Sequence, residues 1–376
     1  MTINSVNTRP RILLVATSWT NLPEMPYIIR QAGFAVDLLC REENISRHSS
    51  FLDRWIDAGP TWESLCEKLI ELDRSGVYEH ILLGEDTIIW RIHTQPIPEL
   101  DHLLPVRQAN ARDMLGKIGF SQVCERLGLL TPKFAFLSTA EQAGAVAEQI
   151  GFPLVTKINY STAGEGVQVL HDREAYFAYL ENYHFLQPLL VQKFIEGELF
   201  SVEALFRDGQ LLQYVCSIDV DPTLGPSSRR RYVPRLPEIA EMLKPLAKFA
   251  RLHCFANVTF VREFSSGQMF LIEVDPRPNK WAPYGHWFGA DFSEAFRLFM
   301  GDATVDNPPY LDRSSETEVT HWYIEHFDSH VVKLIRSGSN SKSIMHLLDF
   351  DNTLRYVLYD PALLREKTTR LRNRLR

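Results

Sequence analysis

The chain has 376 residues, which at roughly 150 residues per domain suggests two or three domains. With 45% hydrophobic and 23% charged residues, its composition excludes a mainly disordered chain, a collagen-like repeat and a coiled-coil rod. A formal net charge of −7 argues against a general nucleic-acid binder. The cysteines (Cys40, Cys66, Cys124, Cys216 and Cys254) are odd in number and widely spaced, so they form neither a zinc pattern nor a disulfide framework. They point to a reducing compartment. Residues 1–10 are unlike a signal peptide and no apolar run is long enough to span a bilayer, so the expectation is a cytoplasmic protein without membrane or nucleic-acid partners.

In chain order, RILLVA (11–16) reads as a strand buried on both faces, 24–33 as a helix ending at Gly33, and AVDLLC (35–40) as a second strand. A helix follows Thr61 as N-cap, with Trp62, Leu65, Leu69 and Leu72 as its apolar stripe, and HILLG (80–84) is a third strand. Strand and helix alternate, which predicts a small parallel α/β domain over the first 105 residues. The proline-rich stretch 94–106 closes it. The pattern then predicts a helix over 113–127 ending at Gly128, a strand in TPKFAFL, a capping box over Ser138–Glu141, and a helix stopping at Gly151. FPLVTKI (152–158) and GVQVL (166–170) are strands, 173–182 a helix, and LLVQKFI (189–195), FSVEALF (200–206) and QLLQYVCSI (210–218) strands. A Pro/Gly/Ser-rich loop carrying Arg229, Arg230 and Arg231 precedes a helix that Pro245 should kink or split. VTFVREF and MFLIEVD form a hairpin in which Thr259 faces Glu273 and Glu263 faces Met269.

Two regions carry chemistry. Lys157 ends a strand and is followed by the small-residue loop Asn159–Gly166, whose backbone amides can approach an anion while the ammonium supplies a point charge. Alone, the loop reads equally as an ordinary hairpin with a solvated lysine. It lacks the Walker lysine–Ser/Thr pair and the Rossmann glycine triplet. In LIEVDPRPN, Glu273 and Asp275 share one strand face about 6.5–7 Å apart, a spacing that suits two carboxylates gripping hard cations, with Arg277 as the nearby countercharge. A structural carboxylate–arginine pair is the alternative. Arg229–Arg231 suit an anionic substrate or a solvated charge run. Trp281, Tyr284, His286 and Trp287 suit an acceptor pocket or core packing. The basic C-terminal segment, with Leu364, Leu371 and Leu375 on one face, reads as a terminal helix packed on its own protein.

These pieces, in this order, resemble the ATP-grasp superfamily over residues 105–302. Lys117, ahead of a helix with a "Gly…Pro" ending, resembles the first phosphate-binding lysine, and Lys157 the second. Ser161–Gly166, including Gly164, resembles the loop that closes on the triphosphate. LVQKFIEGELFSV is similar to the adenine hinge, with the backbone of Lys193, Phe194 and Ile195 at the base, Gln192 where a carboxylate often sits, and Glu198 substituting for a ribose-binding Glu at Leu199. LIEVDPRPN is similar to "iEiNPR", which implies Glu273 and Asp275 as metal ligands, Ile272 in the nucleotide site and Arg277 near the transferred phosphate. FGADFSEAFRLFMG resembles the closing helix. Thr259 stands where the first metal ligand is usually an acid or amide, Asp275 replaces the usual Asn, and Cys254 replaces a frequent Gly.

The resemblance implies an α/β architecture in four parts. Residues 1–105 are an N-terminal parallel domain, 106–188 the small lobe of a two-lobed α+β module with its phosphate loop, 189–305 the large lobe with the metal site, and 306–376 a C-terminal extension. It implies an ATP- and Mg²⁺-dependent ligase, with one or two ions, joining a carboxylate to an amine or thiol through an acylphosphate. Arg277 and Lys157 would be catalytic. The alternatives are a nucleotide-binding protein without ligase chemistry and a phosphotransferase on the same fold. The partners implied are a small-molecule acid and amine, and a homodimer is left open.

Overall fold

The computed structural model describes residues 9–17, 25–161, 164–219, 229–301, 318–320 and 360–374. The N-terminal part contains β1 (Arg11–Val15), α1 (Met25–Gln31), β2 (Ala35–Cys40), β3 (Arg54–Asp57), α2 (Trp62–Arg74), β4 (His80–Leu83) and α3 (Asp86–Thr94). Its strands form a parallel sheet in the order β3-β2-β1-β4. The continuous apolar runs of β1 and β2 reflect burial on both faces. Thr61 caps α2 by accepting from the Ser64 amide at 3.1 Å. Two elements lacked a clear sequence pattern. β3 is a short, half-exposed edge strand without alternation, and α3 follows β4 so closely that strand and helix read as one apolar stretch.

A 3-10 segment (Ala109–Leu115) and α4 (Lys117–Arg126) replace the single helix expected over 113–127. The next sheet is antiparallel, in the order β5-β8-β6-β7, from β5 (Phe134–Leu137), β6 (Leu154–Ile158), β7 (Gln168–Leu170) and β8 (Leu189–Lys193). Helices α5 (Ala143–Ile150) and α6 (Arg173–Glu181) share its core through Val146, Ile150, Tyr176 and Leu180. A division at 188/189 therefore misplaces β8, whose backbone pairs with β5 and β6. The capping box before α5 is Thr139 with Gln142, since it is the Gln142 side chain that reaches back to the Thr139 amide.

The third sheet, antiparallel, runs β13-β12-β9-β10-β11-β14. Its strands are β9 (Gly197–Arg207), β10 (Gln210–Asp219), β11 (Arg229–Val233), β12 (Cys254–Glu263), β13 (Met269–Asp275) and β14 (Glu318–Thr320). Alternate residues of β9 face opposite ways: Val202, Ala204 and Phe206 join the core with α7 (Pro237–Ala250), and Leu205 that with α8 (Phe292–Met300). α7 runs through Pro245 as one helix, so the proline does not split it. Arg229–Arg231 lie in strand β11 rather than a loop, because β10 and β14 supply ladder partners that a run of arginines does not advertise. In the β12–β13 hairpin Thr259 does face Glu273, but a bulge at Ile272 shifts the rest, so Met269 pairs with Arg262 instead of Glu263.

The described part of the C-terminal segment forms α9 (Pro361–Arg374), which packs on a 3-10 turn at Ile45–His48. Asp360 anchors it by accepting from Ser49 Oγ at 2.5 Å and Ser50 Oγ at 3.0 Å. The side chains of Leu364, Leu371 and Leu375 lie outside the described residues.

Candidate functional site

The site forms where α4, β6, β13 and α3 converge. Gly116 precedes α4 because a Cβ there would sit 2.9 Å from the Asn159 side chain. Asn159, just past β6, receives the Lys117 amide on its carbonyl (3.1 Å) and the Ile118 amide on Oδ1 (2.9 Å). This capping in trans fastens the helix start to the end of β6 and brings Lys117 and Lys157 into one cleft. Both lysines are buried.

Lys117 Nζ lies 3.0 Å from Glu273 Oε1, donates to Ser161 O at 2.8 Å, and sits 5.8 Å from the Trp90 ring centroid. Burial acts to lower its pKa, but Glu273 and Asp275 outweigh this and hold it above the ordinary lysine value. Lys157 has less compensation. Burial pushes it down to about 8, with Glu273 opposing and Lys117 reinforcing the drop. Burial likewise acts to raise Glu273, yet Lys117 and Lys157 win and keep it below the usual carboxylate range. Asp275 goes the other way: burial, helped by Asp86 and Glu273 against Arg277 and Lys117, raises it to about 8.

Arg277 is buried and fully engaged. Its Nε donates to Asp86 Oδ2 at 2.8 Å, one terminal nitrogen donates to Asp275 Oδ2 at 3.1 Å, and the other reaches Pro278 O at 3.5 Å. Behind the acids, cross-strand rows extend a polar face: Glu273–Thr259–Ser201–Ser217 and Asp275–Asn257–Glu203. Glu203 is buried, accepts from Asn257 and Arg230 at 2.8 Å each, and is raised by burial despite Arg230.

The acids fit a magnesium ion. Both are hard oxygen donors on one face, Asp275 meets only one terminal nitrogen of Arg277, which it shares with Asp86, and the Lys117 ammonium already stands where Glu273 would meet a cation. Among the described residues no cluster of three or more His, Cys, Asp or Glu forms a closed metal cage. Mg²⁺ needs none, since it commonly combines one or two carboxylates with phosphate oxygens and water.

The remaining sequence candidates separate. Thr259 is opposite Glu273, and Gly164 and Gly166 adopt φ of +77° and +69°, with Thr162 and Ala163 outside the described residues. Ser161 contributes its carbonyl to Lys117, while its hydroxyl bonds Ile158 O. Gln192 is buried and donates to Ser121 Oγ on α4 at 3.3 Å, a packing contact between lobe elements. The Lys193 amide bonds Lys133 O and the Phe194 amide Pro153 O, so these two donors are occupied within the small lobe. Ile195 follows in the link to β9, and Ile272 is the bulge residue of β13. Glu198 is paired with Arg262 at 2.6 Å and Arg231 at 3.6 Å. Arg230 is buried between Glu203 and Asp219 and stacks on Trp281, so it is charge-compensated by the protein; the Arg229 side chain lies outside the described residues. Trp281 and Tyr284 are core residues, His286 is exposed, and the side chain of Trp287 lies outside the described residues.

Sequence reading missed Asp86, Trp90, Asn159, Glu203 and Asn257. Asp86 had a signal: acids directly after a buried parallel strand stand at the sheet's carboxyl edge, where open α/β sheets bind ligands.

No family model matches the chain. It is 26% identical over 182 residues to the carbamoyl phosphate synthase large chain of Clostridium beijerinckii, covering 44% of this chain and 16% of that one. The chain thus spans about a sixth of that relative's length. N5-carboxyaminoimidazole synthetase from Staphylococcus aureus, solved with ADP, superposes with TM-score 0.66 at 13% identity over 88% of both chains. The biotin carboxylase domain of Hydrogenobacter thermophilus 2-oxoglutarate carboxylase, solved with MgADP, ADP and bicarbonate, gives 0.64 at 15% identity over 82% of this chain and 73% of that one. Two lysines facing two strand carboxylates between an antiparallel small lobe and a larger sheet, with these relatives by sequence and structure, identify the chain as carrying the ATP-grasp fold.

Proposed function

We propose that the chain is an ATP- and Mg²⁺-dependent ligase that joins a carboxylate to an amine or thiol through an acylphosphate, releasing ADP and phosphate. The observation that carries this is the convergence of the buried Lys117, Lys157 and Arg277 with the half-buried Glu273 and Asp275 in one cleft. Such chemistry asks the protein for positioning and for neutralisation of phosphate charge, not for a nucleophile of its own. Lys117 and Lys157 would meet the polyphosphate, with Glu273 and Asp275 holding one or two Mg²⁺ and Thr259 beside them. The metal would neutralise phosphate charge when bound. The 161–166 loop would close over the phosphates, the 192–195 hinge and Ile272 would flank the adenine, and Glu198 would need to leave its arginines to meet the ribose. Arg277 would steady the transferred phosphoryl group. The ADP and bicarbonate named for the Hydrogenobacter domain support a nucleotide and a small acid in this cleft. A homodimer, as named for that domain, belongs to the same reading.

The test is ADP release across a panel of acids and amines. Amide formation with stoichiometric ADP supports the ligase. A stable phosphorylated product instead indicates a phosphotransferase, and Mg²⁺·ATP binding without turnover a nucleotide-binding protein. Lys157→Ala and Glu273→Ala are each expected to lower turnover at least about 100-fold, the loss of a transition-state charge contact; undiminished turnover in both would displace the site.

A further inference from the structure

Arg277 stands between two carboxylates and bonds both through different nitrogens. Asp275 Oδ2 is 3.1 Å from one terminal nitrogen, and Asp86 Oδ2 is 2.8 Å from Nε. Asp275 is the residue read above as a metal ligand. A guanidinium resting on it competes with a divalent cation for the same oxygens. Asp86 has no such second duty. It opens α3, a helix of the N-terminal part, and crosses 191 residues of sequence to reach Arg277 with both side chains buried. The same helix presents Trp90 one turn later, its indole nitrogen bonded to Leu115 O at 2.9 Å and its ring beside Lys117 and Tyr160. Helix α3 therefore touches both cationic sides of the cleft, and a narrow cavity between Asp86, Trp90, Lys117 and Glu273 joins them.

We propose that Asp86 is a positioning residue: its ion pair holds Arg277 by Nε and limits the guanidinium to one terminal contact with Asp275, which the cation that accompanies the nucleotide can displace. The inference rests on the nucleotide site proposed above. Without the Asp86 charge, Arg277 turns a second nitrogen onto Asp275 and grips it as a fork, since a buried guanidinium does not stay half paired. Mg²⁺ must then displace an internal cation before it binds.

The experiment is a calorimetric titration of a non-hydrolysable ATP analogue at a series of Mg²⁺ concentrations, which needs neither acid nor amine. In Asp86→Asn the half-saturating Mg²⁺ is expected to rise about tenfold, while analogue affinity at saturating Mg²⁺ stays within about threefold of the parent. Asp86→Glu, which keeps the charge, is expected to recover most of the Mg²⁺ dependence and serves as the folded comparison if the Asn variant melts early. The deciding arm is a double-mutant cycle: in an Arg277→Gln background, adding Asp86→Asn should leave the Mg²⁺ requirement unchanged, because the competing cation is gone. An equal rise in both backgrounds, or no rise in Asp86→Asn alone, overturns the positioning role. A parent protein that binds no Mg²⁺·nucleotide overturns the site itself, a result distinct from either.

Discussion

Asp275 keeps its proton to about pH 8 because burial and the charges of Asp86 and Glu273 outweigh the help from Arg277 and Lys117. An unfolded aspartate gives up its proton near the ordinary value of 3.8, so between the two values the folded state binds the extra proton. Stability from this group is thus complete below that lower value, falls as pH rises toward 8, and is flat above it. Asp275→Asn should remove this decline, at most about 1.4 kcal/mol per pH unit, in nucleotide-free urea unfolding series. The same proton must leave when a cation binds the carboxylate. Calorimetry in buffers of different ionisation enthalpy should show net proton release on Mg²⁺·nucleotide binding at neutral pH, and Asp275→Asn should abolish it. Lys157 is the converse case. Its depressed pKa means the fold bears a poorly compensated ammonium at neutral pH. Lys157→Met should leave the melting temperature of the free protein level or raised, while weakening Mg²⁺·ATP binding by about tenfold or more, the value of a charge-assisted phosphate contact. A fall in stability without a fall in affinity would assign the lysine to the core instead.

At the scale of elements, the hairpin β12–β13 and the loop after β6 carry the site. Gly166 has φ +69°, and a Cβ there would lie 2.3 Å from Ile158 Cδ1. Gly166→Ala should destabilise by more than about 1 kcal/mol in urea unfolding, since alanine meets both strain and a clash. A neutral result would mean the loop has another conformation. These elements were legible in sequence because their chemistry is local. MFLIEVD alternates, so Glu273 and Asp275 fall on one face; counting back from the turn put Thr259 across from Glu273, a pairing that holds because the bulge at Ile272 offsets the one-residue difference at the hairpin's end. The bulge at Ile272 was not legible, because an inserted residue inside an apolar strand leaves no compositional mark. β11 was not legible either, since Arg229–Arg231 pair only because β10 and β14 flank them. Lys117 and Lys157 could be named but not joined without the resemblance: the joint is Asn159, an amide whose capping role appears only once α4 lies against β6.

Across the whole molecule, long-range polar contacts tie the N-terminal part to the segment after β13 and to the C-terminal helix. Arg277 reaches Asp86, and Asp360 binds Ser49 and Ser50. Each crosses far more sequence than any local pattern covers, so neither was readable in advance. Asp360→Ala removes several hydrogen bonds at once and should release α9, costing about 1–3 kcal/mol and exposing the C-terminal helix to trypsin while Mg²⁺·nucleotide affinity holds. An unchanged digestion pattern would mean that other contacts hold the helix. The central claim is that the acids of β13 and the lysines of α4 and β6 serve one metal-bound polyphosphate. A crystal of the protein with Mn²⁺ and a non-hydrolysable ATP analogue tests it most directly, through the anomalous peak of the metal. The expected result is a metal within coordination distance, about 2.0–2.2 Å, of both Glu273 and Asp275, with phosphate oxygens against Lys117 and Lys157. A nucleotide and metal ordered elsewhere, with Lys117 still paired to Glu273, would contradict it.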